Sequence, residues 1–135
     1  MTELATAYGG VLSAWVSVGG LLLVQAIVAD VAGIRAKHTP GMPVTTGHGD
    51  FLFRAVRAQA NSLENLPAFI VLSLASMLLG ASPQWAGGLA WTFVIARAAH
   101  MAAYYADVRT ARSIAFALGF LSLIGMLVIA LRAIT

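Results

Sequence analysis

Seven polar residues of this chain recur at helical spacing inside otherwise apolar sequence. Arg54, Arg57, Asn61 and Glu64 are separated by three, four and three positions, and Arg97, His100 and Tyr104 by three and four. Each set therefore lies along one helical face. Counting Arg35, Arg54, Arg57, Arg97, Arg109 and Arg112 against Glu64 and Asp107 leaves a surplus of positive charge. Arginine forks bind carboxylates and phosphates bidentately, so the pattern suits an anion carrying several such groups. A soluble anion, a lipid headgroup, or one of each would satisfy it.

The surroundings of these residues make them unusual. The 135 residues are 60% hydrophobic and only 10% charged, with a mean hydropathy of +0.87, whereas a soluble domain carries about 25% charged residues. The length allows one domain, spanning residues 1–135. Leu4 to Ala29 is free of charge, and at about 1.5 Å per residue it exceeds the roughly 30 Å hydrocarbon core of a bilayer. Asn65 to Ala96 is long enough for two crossings if it breaks at Gly80-Ala-Ser-Pro-Gln84, and Ser113 to Leu131 supplies another, closed by Arg132. The expected fold is an all-α integral membrane protein, a four-transmembrane-helix bundle with helices at 4–36, 50–79, 84–107 and 112–133.

Several function classes fall away. The chain has no cysteine, which excludes disulfides, thiolate metal sites and a protein-borne thiol nucleophile; any sulfur chemistry must use a substrate's sulfur. His38, His48 and His100 have no metal-ligand spacing, so no metal is expected. The pI of about 10.0 reflects basic residues at membrane ends, and a nucleic-acid reading would need a soluble basic face. Met-Thr-Glu-Leu offers no basic lead-in for a signal peptide, so the first helix is read as retained. Basic residues cluster between the first and second helices and after the third, which places both termini outside and both basic loops in the cytoplasm. Asp50 is placed to cap the second helix. Gly10 and Ala14, or Gly9, Ser13 and Ser17, give the first helix small residues that permit close helix contacts.

Helix length also sets depth. The apolar part of the second helix, Asn65 to Leu79, is only about 22 Å long, so Glu64 and Asn61 fall within the membrane. The third helix runs back from Trp85, an interfacial anchor, and reaches Arg97 after about 18 Å. Glu64 is then expected level with Arg97, Asn61 with His100, and Arg57 with Tyr104. Pro67 frees the carbonyl near Leu63 and is expected to kink the helix. Intramembrane charge is costly and marks a functional site with a partner nearby. Convergence of this many polar groups exceeds what helix glue requires.

At these residues the chain resembles a known family. Arg57-Ala-Gln-Ala-Asn61-Ser-Leu-Glu64-Asn-Leu-Pro67-Ala-Phe69 resembles the second-helix signature of the MAPEG family, membrane-associated proteins in eicosanoid and glutathione metabolism. Arg97-Ala-Ala-His100-Met-Ala-Ala-Tyr104, followed by Arg109 and Ser113, resembles the third-helix segment of its microsomal glutathione transferase and prostaglandin E synthase members. The resemblance implies a homotrimer with glutathione sites between subunits. Carried over by motif, Arg57, Asn61 and Glu64 contact glutathione, Arg97, His100 and Tyr104 line the pocket, and Arg35 is the basic residue ending the first helix; Arg54 extends the same stripe. Glutathione also fits the charge argument: it has two carboxylates for arginines, an ammonium for Glu64, and the thiol this chain lacks. For thiolate formation the resemblance points to Arg112 or Ser113, with Arg109 as a substitute. Asn65 stands where leukotriene-type members carry an aromatic residue, so eicosanoid specificity is not implied.

Two functions follow as expectations. One is a glutathione-dependent transferase or peroxidase attacking a lipophilic electrophile or hydroperoxide; the other is a non-catalytic membrane protein that holds a lipid or serves as an accessory subunit.

Overall fold

A computed structural model describes residues 2–135. They form α1 (Thr2–Ala7), α2 (Gly9–Arg35), α3 (Phe51–Leu78), α4 (Pro83–Tyr105) and α5 (Arg109–Ile134). Where one helix was expected from residue 4, the chain breaks at Tyr8 (φ −104°, ψ 26°). The buried Tyr8 hydroxyl donates to the Ala81 carbonyl at 2.5 Å, which ties the break to the turn between α3 and α4.

Side-chain contacts fix the register of the four long helices. Trp15 Nε1 donates to Ser73 Oγ and Gln25 Nε2 to Ser62 Oγ, so advancing along α2 means retreating along α3. Phe69 stacks on Phe93, with ring centroids 4.4 Å apart, while Asn61 meets Arg97; α3 and α4 are therefore antiparallel too. Between α4 and α5, Leu89 lies by Gly125 and Arg97 by Gly119. The result is an up-down-up-down bundle with Val11, Phe69, Phe93 and Met126 in its core. α2 and α4 run parallel and nearly touch at Gly10 and Gly87, where a Cβ on Gly10 would lie 3.4 Å from the Gly87 Cα. Gly10 thus makes the close approach to α4 and Ala14 is buried below it, whereas a Cβ on Gly9 would meet nothing within 4 Å and Ser13 is exposed.

Each connection has a local cause. α2, α3 and α4 end alike, with Lys37, Gly80 and Asp107 at φ 52°, 73° and 55°, and with the next amide returning to the carbonyl five residues back. This closure satisfies carbonyls that a helix end leaves unpaired. Gly80 enters the left-handed region without a Cβ penalty. Pro83, whose ring presets φ, then opens α4. Pro67 lies inside α3, which stays helical on both sides of it. α5 starts at Arg109, so Arg112 falls inside its first turn rather than at its start.

By length and composition two helices, α2 and α5, are apolar enough to cross a membrane. α3 and α4 carry the polar stripes. The fifteen residues from Ala36 to Asp50 form an irregular connection, and Asp50 closes it by accepting the Leu52 amide at 2.9 Å. Replacing Asp50 with alanine is expected to cost about 1 kcal/mol, read as a lower melting temperature in detergent; an unchanged melting temperature would show that the cap does not hold the end of α3.

Candidate functional site

α4 supplies the buried part of the site. Arg97, His100 and Tyr104 are 1%, 2% and 8% exposed, so the three-and-four spacing does put one polar row on the inner face of the helix. Arg97 Nη1 donates to Asn61 Oδ1 at 2.7 Å. Its guanidinium lies 5.7 Å from the Phe93 ring centroid and 5.5 Å from that of Phe116. Gly119 on α5 leaves the space it occupies, because a Cβ there would sit 2.9 Å from Arg97 Nη2. Arg97 Nε has no hydrogen-bond partner, and neither does His100 Nδ1. His100 packs edge-on against Tyr104 at 4.9 Å.

The expected pairing of Glu64 with Arg97 is not what the structure contains. Glu64 is exposed, and its side chain has no hydrogen-bond or ion-pair partner among the described residues. Arg97 meets Asn61 instead, nearly one turn away from the expected register. The reason lies in helix geometry: at about 100° per residue, Arg54 and Asn61 fall about 20° apart, and Arg57 and Glu64 form a second pair turned about 60° from them. The stripe divides accordingly. Arg54 and Asn61 are half-buried, and Arg57 and Glu64 face outward.

The other candidate residues are placed unevenly. Arg35 is exposed and lines a cavity of about 550 Å³ with Val31, Asp50 and Phe51, between α2 and the start of α3. Arg112, in the first turn of α5, sits 4.4 Å above the Tyr104 ring. Arg109 and Ser113 are exposed, and the Ser113 hydroxyl donates to the Arg109 carbonyl of its own helix. Arg54 points toward the connecting loop and donates through Nη1 to the His48 carbonyl at 2.6 Å. An apolar cavity of about 410 Å³ lies between α4 and α5, lined by Ile95, Ala99, Ile114 and Leu118.

Sequence reasoning missed four contributors. His48 sits beside Tyr104 and within 3.2 Å of Arg112, although it comes from a loop with no periodicity to announce it. Gln25 is fully buried on α2 and leaves its Oε1 without a partner; one amide inside a long apolar run was the only signal. Gly119 and Phe116 shape the Arg97 socket, but in sequence they look like ordinary residues of an apolar helix.

Chemically, the arrangement is an unneutralised cation inside a bundle. A buried charge is costly unless paired. Among the described residues Arg97 has an amide oxygen and two aromatic rings but no carboxylate. It is suited to receive an anion. Over residues 5–132 the chain matches the sequence model of the MAPEG family. No individually curated protein matches it.

Gly119→Ala should force the guanidinium to move and cost about 1–3 kcal/mol, the usual scale of overpacking. In an Arg97→Ala background the same substitution should cost little, because the space is then free. Detergent melting of the four proteins checks this, and equal penalties in both backgrounds would rule out Arg97 as the group displaced.

Proposed function

Since the chain belongs to the MAPEG family of membrane proteins, we propose that it is a membrane-embedded glutathione-dependent transferase or peroxidase. The observation that carries this reading is Arg97, a fully buried guanidinium with no carboxylate partner among the described residues. One glutathione carboxylate would complete its unused donors, and Arg57 and Arg35 are available for the other. Glu64 would hold the ammonium. His100 and Tyr104 line the remaining wall.

Arg57 and Glu64 bear on assembly. Both face away from the bundle of their own chain, and charged side chains facing lipid are strongly disfavoured. A neighbouring subunit packed against this face would cover them, so the site is read as lying between subunits of a homotrimer. In this reading all four long helices cross the membrane, both termini lie outside, and the basic loops face the cytoplasm, where soluble glutathione is available.

Thiol activation is assigned to the start of α5. Arg109 and Arg112 stand in its first turn with no acidic residue, although the positive end of a helix dipole favours anions. A thiolate bound there would be stabilised by both the dipole and the guanidinium, lowering the thiol pKa from about 8.5. The thiolate sulfur then bonds to the electrophilic carbon of a lipophilic substrate, which loses its leaving group or takes up a proton on the displaced oxygen. With a hydroperoxide it attacks the O–O bond, the alcohol leaves, and a second glutathione thiol displaces water from the resulting sulfenic acid to give the disulfide. The apolar cavity between α4 and α5 gives such a substrate a route from lipid. Arg112 is the first choice for the activating group, with Ser113 and Arg109 as alternatives.

One observation favours a second reading, a non-catalytic protein holding a lipid or acting as an accessory subunit. Arg112 already contacts His48 and Tyr104, and Ser113 is bonded within its own helix.

Glutathione titration of the purified protein, followed by thiolate absorbance in the ultraviolet, separates the readings. The enzyme reading expects binding with thiolate, and loss of thiolate by about tenfold in Arg112→Ala with binding kept, on the scale of one lost charge-assisted hydrogen bond. Binding without thiolate selects the ligand-holding reading, and no binding at all removes glutathione. Arg97→Ala and Glu64→Gln should each weaken binding by about tenfold or more while the trimer persists in detergent; normal binding in both would show that the pocket lies elsewhere.

A further inference from the structure

The geometry points to His48 as a positioning residue, a loop imidazole that holds the Arg112 guanidinium in place over Tyr104. His48 belongs to the irregular connection between α2 and α3, and its neighbours Gly47 and Gly49 are exposed whereas it is half-buried. Three helices hold it there. From α3, Arg54 Nη1 donates to its carbonyl at 2.6 Å and Phe53 meets its ring edge-on at 5.1 Å. From α4, the Tyr104 ring lies 6.1 Å away. From α5, Arg112 Nη1 lies 3.2 Å from His48 Nδ1.

The last contact determines a proton. A guanidinium has only donors and stays protonated, so Nδ1 must accept and the ring proton must sit on Nε2. Stacking over Tyr104 at 4.4 Å restrains the guanidinium above the ring but leaves it free to rotate in its own plane. A fixed acceptor at its edge removes that freedom. Arg54 acts through the same device: its bond to the His48 carbonyl sets where the imidazole stands, so Arg54 serves the loop rather than an anion directly. The chain from Arg54 through His48 to Arg112 thus joins the stripe of α3 to the start of α5 across a loop that carries no regular structure.

The functional consequence rests on the glutathione reading: His48 would set the direction of the group assigned to thiolate formation, without touching glutathione itself. Two variants separate this from mere packing. His48→Phe keeps a ring and removes the acceptor; His48→Asn places an amide oxygen where Nδ1 stood. In full-length protein purified in detergent, His48→Phe should lower the thiolate fraction of bound glutathione by about fivefold or more, the scale of one hydrogen bond to a charged group. His48→Asn should restore it to within about twofold, and the KM for glutathione should change less than kcat in both. Equal loss in the two variants, or no loss in His48→Phe, overturns the proposal.

A second measurement does not depend on glutathione. Nitrogen NMR of the ¹⁵N-histidine-labelled chain, with the His48 signals identified by their absence in His48→Asn, should find a neutral ring protonated at Nε2, with an Nδ1 signal that shifts in Arg112→Ala. A ring protonated at Nδ1 would overturn the coupling. If the parent chain forms no thiolate, the enzyme reading fails, and the ring nitrogens alone decide whether His48 holds Arg112.

Discussion

The structure is organised around the problem of keeping a guanidinium inside an apolar bundle. Arg97 lies on the inner face of α4 at 1% exposure, where an unsolvated charge is tolerated only with compensation. The compensation within the chain is partial: one amide oxygen, two aromatic faces, and space left by a glycine. None of these neutralises the charge. A neutral amide as partner leaves the net positive field in place, whereas a carboxylate at position 61 would have quenched it. The bundle therefore presents a positive centre that an anion can complete, and this makes the fold compatible with the glutathione chemistry proposed for it.

Helix register decides which residues share in that centre. The antiparallel run of α3 against α4 sets Phe69 on Phe93 and Asn61 on Arg97. With those contacts in place, Arg57 and Glu64 turn outward. The polar stripe of α3 is thus shared between two surroundings, the interior of its own bundle and whatever lies beyond it. The charge arithmetic follows the same division: the buried half is a cation with an amide, and the outward half is an arginine with a glutamate. In the proposed assembly a ligand bound at the boundary meets both.

The start of α5 shows how loop and helix cooperate. Two arginines in a first helical turn oppose the helix dipole, and a Tyr104 face with a loop histidine holds one of them. The loop is anchored in turn by Arg54 and by the Asp50 cap. Groups far apart in sequence are thereby brought together without an ion pair between them.

The sequence by itself determined the helical class, the interruption at Gly80 to Pro83, the Asp50 cap and the inward row of Arg97, His100 and Tyr104, because each follows from short-range spacing, turn chemistry or composition. It also carried the family, through residues clustered within single helices. Depth matching failed by nearly a turn at Glu64: it measures length along an axis, while packing of Phe69 on Phe93 sets the offset between two axes. Stripe analysis could not separate Asn61 from Glu64, since an angular difference of about 60° is invisible until a neighbour chooses a side. His48 and Gly119 were illegible for the same physical reason. A loop residue has no period, and a glycine in an apolar helix has no signature; only the tertiary structure decided that one would meet Arg112 and the other would make room for Arg97.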